Sequence, residues 1–308
     1  MSFLLVVRYP EEGPGLLAWA QRAAEGLDLP LEVVSCDPEA GSEIEWVEDS
    51  PRPDYLANTD SEVRWGRVKL SHTLSAVGAH VIANKVTHVL TGKHNSGKSA
   101  HDSPERRLSL ALFEKLPCSV IILRLPEKDA ITPGNVLVPA AGGPHSRIAL
   151  RLASNMVGEH ATALFVTQEV DEVSREVAER HLAKVLKRAR VDPENLTSRV
   201  VLGTQVPDEI RREAETGSYE LILIGASDSR TLRSKLFGTL PERLLRGARG
   251  LGIGVVRAPH PKGRLLQDTL EKVLRLSVPQ LEREERITLV DEIEGKSRWT
   301  FDFAALMA

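Results

Sequence analysis

Short apolar runs alternate with longer amphipathic stretches along the second half of the chain. Each run is bounded by glycine, proline or polar residues, which is typical of buried strands, whereas the stretches between them space apolar residues as a helix does. The predicted strands lie at residues 135–139, 163–167, 199–202, 221–225 and 254–257, and the predicted helices begin near residues 146, 171, 207 and 241. Strands that alternate with helices at this spacing predict a parallel sheet with helices on both faces.

The first half repeats this order of elements. Its predicted strands lie at residues 3–7, 31–35, 87–91 and 119–123, and its predicted helix spans residues 61–86. Residues 3, 31, 92 and 124 each have a counterpart 133 positions later, at residues 136, 164, 225 and 257. One constant offset over four elements predicts a tandem duplication with its junction near residues 126–133. Because residues 41–60 are polar, the third strand of the first copy is expected to be weak, at about residues 44–47.

The composition is that of an ordinary globular protein of two domains. The chain has 308 residues, of which 42% are apolar and 27% charged, and its formal net charge is -3. Since Lys and Arg are interspersed with Asp and Glu, no nucleic-acid binding is expected. Cys36 and Cys118 lie in apolar runs without C-x-x-C spacing, which indicates buried thiols of a reducing compartment. The first residues predict a strand and not a signal peptide, so a cytoplasmic location is expected.

The glycines after the fourth strand of the second half form the most specific motif. Two residues separate Gly225 from Asp228, and nine more separate Asp228 from Gly238 and Thr239. This arrangement resembles the G-x-x-G-x(9)-G-[S/T] motif of the universal stress protein family, with Asp228 in place of one glycine. The resemblance covers residues 135–259 and extends more weakly over the first half.

The resemblance implies two tandem open parallel-sheet α/β domains of the universal stress protein type, which is Rossmann-like and binds adenine nucleotides. Residues 1–126 would form a degenerate copy, residues 133–259 the nucleotide-binding copy, and residues 260–308 a helical C-terminal extension. Many family members bind ATP without rapid turnover, so a non-catalytic protein that binds or senses ATP, with or without Mg²⁺, is expected. The implied nucleotide-binding residues are Val138, Pro139, Ala140, Ala141, Gly142, Val166, Gly225, Ser227, Asp228, Gly238, Thr239 and Leu240.

Two departures from the family pattern bear on the ligand. ATP-binding members usually carry an aspartate directly after the first strand, where Ala140 and Ala141 stand here. A carboxylate at Asp228, about 4 Å from a phosphate, would cost on the order of a few kcal/mol at intermediate dielectric. With Mg²⁺ present, Asp228 would instead ligate the cation together with the phosphates. The alternative is that these glycines only form tight turns and that the chain is a structural or dimerisation module without a ligand.

Residues 92–99, GKHNSGKS, match the G-x-x-x-x-G-K-[ST] pattern of P-loop NTPases. In a P-loop the lysine and serine enter the following helix at once, whereas Ser103 and Pro104 predict a later helix start here. The weaker candidates for phosphate contact are Gly92, Gly97, Lys98 and Ser99. An ATPase that uses Lys98 stays as an alternative. No metal-binding histidine spacing and no nucleophile elbow is present, so no enzyme activity is the main expectation.

The last residues, 260–308, differ from both copies. The segment has basic Lys296 and Arg298, then Trp299 and an apolar run. This pattern is typical of the cytoplasmic start of a membrane-spanning helix, although a full span needs about 20 residues. Residues 297–307 weakly resemble the start of the hydrophobic part of an uncharacterised bacterial membrane-protein family. That resemblance implies regulation of an attached membrane or transport domain. The alternative is an ordinary helix that packs on the core or on a second subunit, in a homo-oligomer or an internal pseudo-dimer.

Overall fold

The computed structural model describes residues 1–48, 52–57, 59, 63–93, 104–126, 133–167, 172–226 and 251–259. Within these ranges the strands form one sheet of eleven strands. They are β1 (Ser2–Val7), β2 (Leu31–Cys36), β3 (Glu45–Val47), β4 (Arg64–Val68), β5 (Val86–Gly92), β6 (Ser119–Arg124), β7 (Val136–Pro139), β8 (Ala161–Thr167), β9 (Thr197–Leu202), β10 (Leu221–Gly225) and β11 (Gly252–Arg257). The β3–β4 and β6–β11 pairs are antiparallel, and the other described pairs are parallel.

Helices cover both faces of this sheet, as the sequence predicts. The described helices are α1 (Gly13–Gly26), α2 (Thr73–Ala83), α3 (Pro104–Lys115), α4 (Pro144–Val157), α5 (Glu172–Ala189) and α6 (Val206–Thr216). Phe3 and Leu5 of β1 pack in the same hydrophobic cluster as α1, α4 and α5. Leu4 and Val6, which point to the other face, pack with α2 and α3. Because both faces of β1 are buried, its sequence is a continuous apolar run.

The two halves of the sheet have the same strand order. Apart from β3, which lies outside β4, the order toward the middle of the sheet is β4-β2-β1-β5-β6 in the first half and β9-β8-β7-β10-β11 in the second half. The innermost strands, β6 and β11, lie side by side in antiparallel register, with Leu123 opposite Gly254. The halves therefore share one continuous sheet.

The strand register agrees with the 133-residue offset for the first strand of each half but not for the second strand. Phe3 pairs with Leu31, and Val136 pairs with Ala161. Val136 lies 133 positions after Phe3, whereas Ala161 lies only 130 positions after Leu31. The predicted equivalence of residues 31 and 164 is therefore wrong by three positions, because the first two strands are 28 positions apart in the first half (3 to 31) and 25 in the second (136 to 161).

The helix predicted at residues 61–86 is wrong over its first part. Strand β4 lies there, parallel to β2, and α2 begins only after it. The charged residues of β4 hid the strand in the sequence. Arg64 reaches the Glu32 carboxylate of β2 at 3.5 Å, and Trp65 is buried. The cross-strand ion pair explains why this strand contains charged residues, which the sequence analysis assigned to a helix.

The third parallel strand of the first half is β4, and not the segment predicted at residues 44–47. That segment does form a strand, β3, but it is short and antiparallel, and it lies outside β4 at the edge of the sheet. Glu45 accepts a hydrogen bond from Arg67 of β4 at 3.0 Å. Strand β3 therefore covers the outer edge of β4.

No helix in the described ranges is both long and apolar enough to cross a membrane. Met1–Ala258 form one compact unit, and a second unit begins at Pro259, the last described residue. The helix predicted at residues 241–249 and the extension predicted at residues 260–308 lie outside the described residues.

Candidate functional site

In the second half, the carboxyl ends of β7 and β10 meet the first turn of α4. Val138 and Pro139 are buried at the end of β7. The N–H of Ala140 donates to the carbonyl of Leu164 at 2.7 Å, which prolongs the contact between β7 and β8. The chain then emerges at Ala141, which is exposed. These predicted residues therefore lie at the carboxyl ends of the strands, where open parallel sheets bind their ligands.

Two glycines carry the chain from β7 into α4. Gly142 has a φ of +87°, in the left-handed region that favours glycine, and a Cβ there would lie 3.1 Å from Cγ2 of Val185. Gly143 is the N-cap residue of α4 and supplies no side-chain cap. No described residue lies within 4 Å of the position that a Cβ at Gly143 would take. Since the first turn of a helix presents unpaired N–H groups and a positive dipole end, this turn is an electrostatically favourable place for an anion.

Gly225, at the end of β10, lets the sheet approach this turn closely. A Cβ at Gly225 would lie 2.4 Å from the nitrogen of Ser146 and 2.7 Å from the carbonyl carbon of His145. The Ser146 hydroxyl donates to the Pro139 carbonyl at 3.4 Å, which fixes α4 to β7. Nδ1 of His145 accepts the N–H of Ala258 at 2.8 Å, beyond the end of β11. Gly225 thus acts on the site by positioning the first turn of α4.

Val166 is separated from the other described candidates by the sheet. It packs with the cluster under α6, whereas Val138 packs with the cluster that contains α4 and α5. Its neighbour Phe165 lies on the α4 side and contacts His181 of α5, with 4.9 Å between ring centroids. Nε2 of His181 would lie 3.7 Å from a Cβ at Gly142. Sequence reasoning missed Phe165 and His181 because only the strand register shows which residues of β8 face α4.

Several candidates lie outside the described residues. They are Ser227, Asp228, Gly238, Thr239 and Leu240 in the second half, and Gly97, Lys98 and Ser99 in the first. Gly92 is described and ends β5, where its carbonyl accepts a hydrogen bond from Ser109 at 3.1 Å. Helix α3 spans Pro104–Lys115.

The two cysteines are free thiols in different surroundings. Burial raises the pKa of Cys118 to about 11, and the side chain is buried as predicted. Cys36 is only partly buried, and its Sγ lies 3.3 Å from Oγ1 of Thr73. Burial raises the pKa of Cys36 as well. Within the part of the chain that the structure describes, no group of His, Cys, Asp and Glu could hold a metal ion.

Comparisons with known proteins bear on the same segment. Residues 133–250 match the sequence model of the Universal stress protein family. A universal stress protein from Archaeoglobus fulgidus DSM 4304 has a TM-score of 0.51 at 13% identity, over 83% of this chain and 96% of that one. The functionally unknown protein PA1789 from Pseudomonas aeruginosa PAO1 has a TM-score of 0.48 at 16% identity, over 84% of this chain and 93% of that one. A universal stress protein in complex with cAMP has a TM-score of 0.30 at 17% identity, over 41% of this chain and 95% of that one.

No curated protein sequence matches the chain. At 13% identity the Archaeoglobus protein informs the fold alone, and the mostly parallel sheet with flanking helices agrees with it. The family match covers the segment in which α4, β7 and β10 build the open turn described above. Residues 133–250 are accordingly similar to a universal stress protein domain.

Proposed function

We propose that the second half binds an adenine nucleotide at the first turn of α4 and senses it without turning it over. ATP, with or without Mg²⁺, is the first ligand to test, since the resemblance to the universal stress protein family implies it. The observation that carries the proposal is the exposed and uncapped start of α4, next to the carboxyl ends of β7 and β10. This turn lies within the segment that matches the family.

The charges around the turn favour an anionic ligand. The first turn of α4 contains no acidic residue. It does contain the main-chain N–H groups of His145 and Ser146, and Arg147 follows in the same turn. Ala141 places no negative charge next to the phosphates, although ATP-binding members usually carry an aspartate at this point.

The wider arrangement belongs to the same proposal. We take residues 1–126 and 133–259 to be two copies of one domain, joined as an internal pseudo-dimer through β6 and β11. The identical strand order of the halves supports this duplication. Regulation of a membrane or transport domain from the cytoplasmic side is the role we propose for nucleotide binding.

Titration of the full chain with ATP and Mg²⁺ in a calorimeter tests the proposal, with Gly143→Asp as the informative variant. Asp is a good N-cap, so the variant should fold at least as stably as the parent. Its carboxylate would occupy the same N–H groups as a phosphate and would repel it. We expect a loss of affinity of about tenfold or more, which corresponds to about 1.4 kcal/mol.

Gly143→Ala is the matched control. It places a methyl group where no described residue lies within 4 Å, and it adds no charge. Its affinity should stay within about threefold of the parent, a difference under about 1 kcal/mol. Equal binding by the parent and Gly143→Asp would move the site away from α4. No binding of ATP, AMP or cAMP by the parent would reject the proposal altogether.

Phosphate release separates sensing from hydrolysis. If the protein only senses ATP, phosphate release by the parent should not exceed the background. Release that disappears in Lys98→Ala would instead favour the P-loop alternative.

A further inference from the structure

In each half, the cleft is the place where the carboxyl ends of the strands meet the first turn of the following helix. In the first half, larger residues lie at two positions of this cleft. Arg8 directly follows β1, and the residue 133 positions later is Ala141. The Arg8 side chain is 1% exposed, whereas Ala141 is an exposed residue. The N-cap of α1 is Glu12, and the N-cap of α4 is Gly143. Both differences put bulk and charge in the first half where the second half has bare main chain.

The Glu12 carboxylate lies against the end of β5. Nη2 of Arg8 donates to Oε1 and Oε2 of Glu12 at 3.0 and 3.4 Å. A Cβ at Gly92 would lie 2.7 Å from Oε2 of Glu12. Gly92 is the counterpart of Gly225, 133 positions before it. An anion paired with a buried cation therefore already sits between the last residue of β5 and the start of α1.

An aromatic ring closes the start of α1. A Cβ at Gly13, the first residue of α1, would lie 2.5 Å from Cγ of Tyr55. The Tyr55 hydroxyl shares a hydrogen bond with the hydroxyl of Ser35, near the end of β2. Burial raises the pKa of Tyr55, which agrees with a ring held in the cleft. Tyr55 belongs to the connection between β3 and β4, whereas in the second half the described connection from β8 to β9 runs through α5.

We propose that the first half is a self-filled copy of the ligand cleft, in which the Glu12 carboxylate takes the place of a ligand anion and Tyr55 closes the entrance. The chain then binds one ligand molecule, in the second half. The ligand count rests on the proposed function. The filling of the first cleft does not, because it follows from contacts among the chain's own side chains.

Chemical rescue tests the filled cleft without any nucleotide. Glu12→Ala removes a carboxylate from buried Arg8 and opens a cavity beside Gly92. Because losing one partner of a buried ion pair is strongly destabilising, we expect Tm to fall by about 5 °C or more. Glu11→Ala, which removes the neighbouring exposed carboxylate, should leave Tm unchanged within about 1 °C.

Small anions should then repair the variant. Acetate or formate at about 0.1 M should restore at least half of the lost Tm in Glu12→Ala, because a ligand that binds only the folded state stabilises it. Chloride at the same ionic strength should not, and the parent should not respond to acetate beyond that salt control. An unchanged Tm in Glu12→Ala would overturn the proposal. A loss of Tm that neither carboxylate repairs would overturn it too, since the cavity would then hold no anion position.

The ligand count is read from the titration with ATP and Mg²⁺. One molecule per chain, with binding lost in Gly143→Asp, is the expected result. Two molecules per chain would show that the first half is an open site. One molecule that still binds Gly143→Asp undiminished would place the ligand away from α4 and overturn the ligand count as assigned. If the parent binds no nucleotide, the proposed function fails, while the rescue of Glu12→Ala still decides whether the first cleft is filled.

Discussion

Two glycines allow α4 to lie close to its neighbours, and only one of them is at the proposed ligand site. A Cβ at Gly225 would lie 2.4 Å from the Ser146 nitrogen, in the first turn of α4. A Cβ at Gly26, the last residue of α1, would lie 1.9 Å from the carbonyl oxygen of Asn155, near the other end of α4. Neither glycine has a positive φ. Alanine at either position therefore acts through the clash alone, and the pair of variants separates a local effect on the site from a general loss of packing.

The size of each clash follows from the contact distances. Non-bonded heavy atoms approach to about 3.5 Å, so Gly225→Ala is short of room by about 1.1 Å and Gly26→Ala by about 1.6 Å. The obstacle is main chain in both cases, so no change of rotamer relieves it. Overpacking of this kind usually costs about 1–3 kcal/mol. At about 2–4 °C per kcal/mol for a domain of this size, Tm should fall by about 2–12 °C, and by more in Gly26→Ala.

Thermal unfolding and ATP titration, the latter well below both transitions, check the prediction. Gly225→Ala moves the N–H groups that would hold the phosphates, so its affinity should fall about tenfold or more. Gly26→Ala, although less stable, should bind within about threefold of the parent. Parent-like affinity in Gly225→Ala would refute the assignment of the site. An equal loss of affinity in both variants would show that binding follows global packing and not the position of this turn.

Two further predictions concern half-buried His88 and buried Arg257, which lie outside the site. Burial, together with the charge of Arg151, lowers the pKa of His88 from 6.5 to about 4. The unfolded chain takes up this proton at a higher pH than the folded chain, so the contribution of His88 to stability is complete above pH 6.5 and is lost as the pH falls toward 4, by on the order of 3 kcal/mol. His88→Gln should reduce the pH dependence of the free energy of unfolding, measured in urea, between these pH values. An unchanged pH dependence would contradict burial as the cause. Arg257 donates to the carbonyls of Leu116 and Cys118 at 2.7 and 3.1 Å, which ties the end of α3 to β11. Arg257→Met should lower the free energy of unfolding by about 2–4 kcal/mol, and a change near zero in urea unfolding would contradict that role.

The sequence predicts most strands because burial on both faces leaves them little compositional freedom. β1 and β10 are continuous apolar runs, and both lie inside the sheet. β4 lies near the edge, where Arg64 can pair with Glu32 and remain partly exposed. Its charges made it read as part of a helix. Helix α1 was not predicted at all, because Gly13 and Gly15 at its start resemble a turn, while the packing of Trp19 that stabilises it is tertiary.

Some residues of the candidate site could be predicted from the sequence, and others could not. The glycines that turn the chain, Gly142 and Gly225, were predictable because few other residues suit a left-handed φ or a close backbone approach. The face on which Val166 lies was not predictable, since side chains alternate along a strand and a shift of one residue reverses them. The proximity of Glu12 and Gly92 could not be predicted, because only the folded sheet brings the start of α1 to the end of β5.

The polar pairs that join α2 and α6 to the sheet show how two such halves can share a fold while their side chains differ. In the first half, His80 of α2 lies 2.9 Å from the carboxylate of Glu32, a strand residue. In the second half, Glu213 of α6, which is 133 positions after His80, lies 2.7 Å from Arg199, also a strand residue. The basic residue, His80 or Arg199, is on the helix in the first half and on the strand in the second. Burial raises the pKa of Glu32, but its hydrogen bonds with His80 and Ser2 and the nearby positive charges outweigh burial and lower that pKa. Each half thus joins this helix to the sheet through a polar pair, with different residues on the two sides. The apolar register is kept in both halves, so polar positions at either end of the sheet are free to change as sets. An open cleft at Gly143 and a filled one at Glu12 are then two outcomes that the same architecture tolerates.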